Sequence, residues 1–193
     1  MVRPAKPNWD LLYQVAAAQR GYFTTRQAEQ AGYSSQLLLK YLKNGRVVRT
    51  RRCVYRLVHF PSSEHEELMV LWLWSATRGV FSHQTALWLH GLSDFPPPED
   101  HLTLPAEWRR RRLRVPIGAS LHFADLQPGD CTRHQGIPVT SRQRTVDDCA
   151  TCSLPPELLT RAHERVRKVH PDPPASAGRG APAWSERLET RLL

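Results

Sequence analysis

The chain has 193 residues, is 40% hydrophobic, and carries 27 Lys and Arg against 18 Asp and Glu, a formal net charge of +9. That size and apolar content suit one globular domain or two small ones. They exclude a membrane-spanning segment, because the longest apolar run, residues 68–76, falls well short of the roughly 18 residues needed. The first ten residues are polar and Pro-rich rather than a secretory signal, and Cys53, Cys131, Cys149 and Cys152 show no secretory-type spacing. A reduced, soluble, cytoplasmic protein is therefore expected.

In chain order, Asn8 is placed to cap a first helix running to about Arg20, with Trp9, Leu12, Tyr13 and Ala16 on one face. Arg3 and Lys6 precede it in an arm that reads as an unordered tail. Thr24 and Gln27 form a capping-box pattern at the start of a short second helix. Ala28 and Ala31 leave room for close helix approach, Gly32 supplies a turn, and Ser34 caps a third helix. There Leu38, Tyr41 and Leu42, with Leu37 beside them, make one apolar face. Ser35, Gln36, Lys40 and Lys43 occupy the other. Gly45 stands where a helix end favours positive φ. Residues 47–50 and 53–57 then read as β-branched and aromatic strands around a tip at Arg51 and Arg52. This is the outline of a winged helix-turn-helix.

A small helical hairpin on a core gives the same pattern, so charge discriminates. Residues 1–60 hold eleven Lys and Arg against Asp10 and Glu29 alone, whereas residues 61–193 hold sixteen of each sign. The whole excess charge sits on the helix-turn-helix segment, which a phosphate-binding surface requires and a solvated face does not. The expected DNA-binding residues are Thr25, Arg26, Ser34, Ser35, Gln36, Lys40, Lys43, Arg46, Arg49, Arg51 and Arg52. Gln36 has the two-pronged amide that suits adenine, while the ribbon arginines suit phosphates or the minor groove.

Residues 60–63 mark a boundary. Beyond it residues 64–77 read as a helix with Leu68, Leu71, Trp72 and Ser75 on one side, broken by Gly79. Ser82 is expected to cap a further helix through Leu89. Short strands are predicted at 101–104, 113–115, 121–123 and 137–140, each bounded by Pro or Gly. Ser141 caps a helix carrying Thr145, Val146 and Cys149, and residues 157–169 form a polar helix. The basic run at Arg109–Arg112 and Arg114 is either a second nucleic-acid contact or a loop paired with Glu99, Asp100 and Glu107. Residues 171–193 are a Pro/Ala/Gly linker and the start of another helix. The fold class is α+β: a winged domain over 1–60, then a mixed α+β domain over 64–170.

Catalytic motifs are missing. There is no His-Glu-x-x-His, Gly-rich phosphate loop or Gly-x-Ser-x-Gly. Cys149 and Cys152 have the spacing of half a zinc site without a second pair, so Cys149 reads as a core residue. Arg144 and Asp148 read as a helix-fixing pair. His83 and His90 lie two helical turns apart, and the other histidines are scattered. No catalytic residue, metal or cofactor is expected.

The run GYFTT, AGYSSQLLLKYLKNGRVVRTRRCVYRL closely resembles the N-terminal domain of AbiEi-type antitoxins of type IV toxin-antitoxin systems. The stretches FSHQTALWLHGLSD and GIPVTSRQRTVDDCA resemble motifs that follow it, so the likeness covers roughly residues 8–152. It implies a DNA-binding regulator that represses its own operon through an operator, typically of inverted repeats. It also implies that the chain counteracts a nucleotidyltransferase-like toxin encoded nearby, without necessarily forming a stable complex. One position departs from the family: Cys53 stands where Gly is usual. The final SERLETRLL weakly resembles the first helix of very-short-patch-repair-type endonucleases, which leaves a second possibility. The chain would then be the DNA-binding half of a truncated or split nuclease.

Overall fold

Asn8 Oδ1 accepts the Leu11 N–H at 3.0 Å and starts α1, Trp9–Ala18. A computed structural model describes residues 6–152 and 154–168. The expected arm at Arg3 and the segment 171–193, with its linker, helix start and nuclease-like signature, lie outside them. In α1 Leu12 and Ala16 are buried, but Trp9 and Tyr13 are 41% and 47% exposed. The expected four-residue apolar face is therefore narrower, and Trp9 instead stacks on Tyr41 at 6.2 Å.

Strand β1, Tyr22–Thr24, follows, then α2, Thr25–Gln30, and α3, Ser35–Lys43. Strands β2, Val47–Arg51, and β3, Val54–Leu57, complete a three-stranded antiparallel sheet ordered β1-β3-β2. The helices and the two-stranded ribbon follow in the expected order, and β1, not expected from the sequence, adds a third strand. The capping box at Thr24 is closed in both directions: Thr24 Oγ1 accepts the Gln27 N–H, and Gln27 Oε1 accepts the Thr24 N–H. Such a cap contributes about 1 kcal/mol. Gly21 is required by space and by φ of +86°, since a Cβ there would meet Phe60 at 2.5 Å. Leu12, Phe23, Ala28, Leu38 and Val47 form the core of this unit.

Helix α4, Glu66–Trp74, is shorter than the sequence suggested and buried all round from Leu68 to Leu73. A one-sided pattern was expected. The difference arises because β1 and β3 pack on one side of it and the second sheet on the other. That sheet contains β4, Val80–Phe81; β5, Asp100–Leu104; β6, Ala119–Phe123; β7, Cys131–His134; and β8, Ile137–Thr140. Its order is β6-β5-β4-β8-β7, with β5–β6 and β4–β8 parallel and the other pairs antiparallel. The two-residue centre strand β4 and the edge strand β7 carry too few residues to show a period. Residues 113–115, expected as a strand, are irregular. Pro116 follows directly, and Leu113 packs on the core without a neighbour to pair with. Helices α5, His83–Leu89, α6, Arg142–Ala150, and α7, Pro156–Lys168, pack together through Leu87, Leu92, Val146, Cys149 and Ala162. The fold is α+β. Among the described residues no helix is long and apolar enough to cross a membrane.

The first sheet is joined to the start of α4 by one polar cluster. The Tyr22 hydroxyl donates to Glu66 Oε2 at 2.7 Å, and Arg56 lies 3.2 Å from Glu66 Oε1. The Ser63 N–H donates to the same oxygen at 2.9 Å, and Arg56 also donates to the Phe60 carbonyl. Burial alone would raise the Glu66 carboxyl, but Tyr22, Ser63 and Arg56 outweigh it and hold its pKa below the ordinary value of 4.5. Burial, and then Glu66 itself, push the Tyr22 hydroxyl up to about 12. Arg20 adds a second tie, donating to the Glu64 carbonyl and to the Gln135 carbonyl and side chain.

Glu66→Gln keeps the shape but removes the charge that Arg56 and Tyr22 address. A charge-assisted bond of this kind contributes about 1.5–3 kcal/mol, so thermal melting at pH 7 is expected to fall by several degrees. A depressed carboxyl stabilises the fold above its unfolded pKa, and that contribution is lost as pH falls through and below 4.5. The gap between wild type and variant should therefore narrow on acidification. Equal melting at pH 7 would contradict the role of this cluster.

Candidate nucleic-acid interface

Helix α3 turns Leu38 into the core and leaves Ser35, Gln36, Lys40 and Lys43 exposed. Ser34 Oγ accepts the Leu37 N–H at 3.2 Å, so this side chain is held as the cap. At the far end Gly45 has φ of +66°, its N–H bonds Leu42 O, and the Arg46 N–H bonds Tyr41 O. That paired geometry stops the helix and sends the chain into the ribbon. Arg46 lies over the Tyr41 ring at 5.3 Å, which fixes its stem while its charge stays exposed. Leu39 was not anticipated. It is 56% exposed on the polar face, three residues from Gln36 and four from Lys43. Its only sequence signal was an apolar residue outside the 3-4 spacing.

On the ribbon Arg49, Arg51 and Arg52 are all exposed. The register of β2 against β3 shifts between Arg49 and Arg51, which moves the tip from the expected Arg51-Arg52 to Arg52-Cys53. The Thr25 N–H donates to the Cys53 carbonyl at 3.0 Å. That bond brings the start of α2, with half-buried Thr25 and exposed Arg26, beside the ribbon tip. Arg26, Arg51 and Arg52 line one cleft of about 740 Å³ there. Arg51 also acts on Asp100 at the start of β5. Burial and Glu67 push that carboxyl up to about 6, and Arg51 pulls against them. Two clusters of the expected residues thus result, one on α3 and one at the ribbon tip with α2.

A second polar assembly lies away from this surface. His83, His101 and His122 come together, with His83 and His122 stacked at 3.5 Å between ring centroids. His101 Nδ1 and His122 Nε2 are 2.9 Å apart. Burial, and then the neighbouring His122 and His101, push His83 down to about 3. His101 and His122 are also lowered, chiefly by burial. The pairing of Thr103 with His122 across β5 and β6 creates the stack, a register that spacing along the chain does not reveal. Ser82, expected as a side-chain cap of α5, makes no such bond; its hydroxyl accepts instead from Thr103 at 2.7 Å. Arg144 pairs with Asp148 at 2.7 Å, as the sequence suggested, and with Asp130 at 3.1 Å. Cys149 is fully buried, and burial pushes its thiol up to about 12. Among the described residues no three His, Cys, Asp or Glu side chains are placed to hold a metal ion together.

Residues 10–58 match the family described as "Transcriptional regulator, AbiEi antitoxin". This is the family whose likeness the residues carry. The match ends at the close of the ribbon, so the two later stretches lie outside it. No curated protein matches the chain at a significant level. Among solved structures, the chain is similar to the RV2827C protein from Mycobacterium tuberculosis at 15% identity and a TM-score of 0.44. That similarity covers 79% of this chain and 69% of the other.

Cys53, where the family usually has Gly, has φ of +63°. A residue with a Cβ in this region costs about 1–2 kcal/mol relative to an unstrained one. Cys53→Gly is therefore expected to raise the melting temperature by a few degrees while leaving the far-ultraviolet circular dichroism unchanged. A lower melting temperature would mean that the thiol supplies a compensating contact.

Proposed function

We propose that the chain is a DNA-binding transcriptional regulator and the antitoxin of a type IV toxin-antitoxin system. It represses its own operon and counteracts a nucleotidyltransferase-like toxin encoded nearby. The family match over residues 10–58 supports the regulator and antitoxin class. The observation that carries DNA binding is the confinement of the +9 charge to residues 1–60, displayed there as an exposed helix face beside an exposed arginine ribbon.

The roles divide by chemistry. Ser35 and Gln36 occupy the first turn of α3, the end that enters the major groove in helix-turn-helix proteins. Gln36 can bond adenine through both its amide oxygen and its amide nitrogen, and Leu39 can meet a thymine methyl. Ser34, Lys40, Lys43 and Arg46 flank that face and hold phosphates on either side. Thr25 and Arg26 at the start of α2 address the backbone with the ribbon residues Arg49, Arg51 and Arg52. None of these last contacts needs to distinguish one base from another. The winged domain over 1–60 thus reads the operator, and residues 64–170 form the antitoxin domain.

Gln36→Ala should relax preference for the operator by about 1–3 kcal/mol while barely changing affinity for scrambled duplex. Arg51→Ala combined with Arg52→Ala should weaken both complexes alike and lower the salt dependence by roughly one to two units of log K per log salt. Fluorescence anisotropy with the duplex upstream of the coding sequence, and with its scramble, measures both. If Gln36→Ala loses equally on both duplexes, or the double arginine variant loses only operator binding, the roles of helix and ribbon are reversed.

A further inference from the structure

Within the basic run from Arg109 to Arg114, Arg109 and Arg111 are engaged, Arg110, Arg112 and Arg114 are exposed, and of these three only Arg114 lines the cleft at the ribbon tip. Arg109 lies over the Phe123 ring at 6.0 Å and reaches the Phe123 carbonyl. Arg111 covers the Trp108 ring at 4.3 Å and stands 3.7 Å from Glu107. Arg114 is exposed and has no hydrogen bond, ion pair or ring contact among the described residues. Leu113, packed on the core before it, and Pro116 after it hold its backbone in place.

Arg114 and Pro116 line the same cleft as Arg26, Arg51 and Arg52. Its lining also holds the apolar side chains of Val54, Leu73 and Trp74, and Glu29 is its one carboxylate. Four guanidinium groups from three separate elements therefore line one open cleft, with Glu29 in its lining and Asp100 near Arg51 as the carboxylates beside them. An arrangement of unpaired like charges costs stability through mutual repulsion, and it is offset when a polyanion enters.

We propose that Arg114 binds the phosphate backbone of the same duplex that the ribbon grips, so that the DNA interface extends beyond residues 1–60 into the second unit. The occupant is double-stranded DNA, favoured by charge and by continuity with the ribbon tip. This inference rests on the DNA-binding function proposed above. Tyr22 and Arg56 tie the ribbon's sheet to α4, whose Leu73 and Trp74 line the same cleft.

The test uses the full chain with a random-sequence 30-base-pair duplex, because a phosphate contact is independent of sequence. Anisotropy titrations over a range of salt compare wild type, Arg114→Ala, Arg114→Lys and Arg111→Ala. Neutralising one phosphate contact changes the slope of log K against log salt by about 0.9. Arg114→Ala should lose that amount, Arg114→Lys should restore most of it, and Arg111→Ala should match wild type. A slope for Arg114→Ala equal to that of Arg111→Ala overturns the inference while leaving the proposed function standing. Saturable binding of a free nucleoside triphosphate that disappears in Arg114→Ala, with the duplex slope unchanged, also overturns it and assigns the cleft to a small ligand. If wild type has no duplex affinity at low salt, the DNA-binding function itself fails.

Discussion

The cluster of Tyr22, Arg56 and Glu66 is the constraint on which the rest of the architecture depends. Glu66 begins α4, whereas Tyr22 and Arg56 face each other across β1 and β3 of the first sheet. One carboxylate therefore satisfies the phenol of buried Tyr22, the guanidinium of half-buried Arg56 and the backbone N–H of exposed Ser63. Each of these groups would be costly to bury alone. Together they tie β1 and β3 to the start of α4. Tyr22 and Val54, both from the first sheet, consequently belong to the same apolar cluster as α4 and the second sheet.

That shared cluster explains what the sequence revealed and what it did not. The elements with strong local chemistry were legible: the capping box at Thr24 and Gln27, the cap at Ser34, the Gly45 stop and the apolar spacing of α3 all reappear in place. These signals are encoded within a few residues of where they act. The failures share a different cause. Strand β4 has only two residues and exists because β5 and β8 lie on either side of it. The burial of α4 on all faces follows from two sheets meeting on it, which no helical period encodes. The His83, His101 and His122 stack depends on strand register, and Arg114 stands out from its run because the fold places it on the cleft that the ribbon arginines line. Ser82 was misjudged because Thr103, distant in sequence, offers its hydroxyl a partner.

The surface and the interior divide their tasks accordingly. Positive charge is concentrated on exposed side chains of α3, the start of α2 and the ribbon, where in the proposed function release of counterions would supply binding free energy. Several titratable groups of the second unit are instead paired or held neutral by burial. Arg144 is engaged by Asp148 and Asp130, Arg165 by Asp94, and the histidine stack is kept in its uncharged form. A polyanion therefore meets an electrostatic gradient that favours one side of the molecule.

Hydrogen exchange on the full chain, with and without duplex from upstream of its own coding sequence, tests the central claim most directly, because it locates contact without altering any residue. Slower exchange is predicted in peptides covering the first turn of α3, the ribbon tip at residues 50–53 and the segment 113–115, with residues 137–150 unchanged. Protection confined to residues 80–150, with α3 and the ribbon exchanging as in the free protein, would contradict the assignment of this surface to DNA.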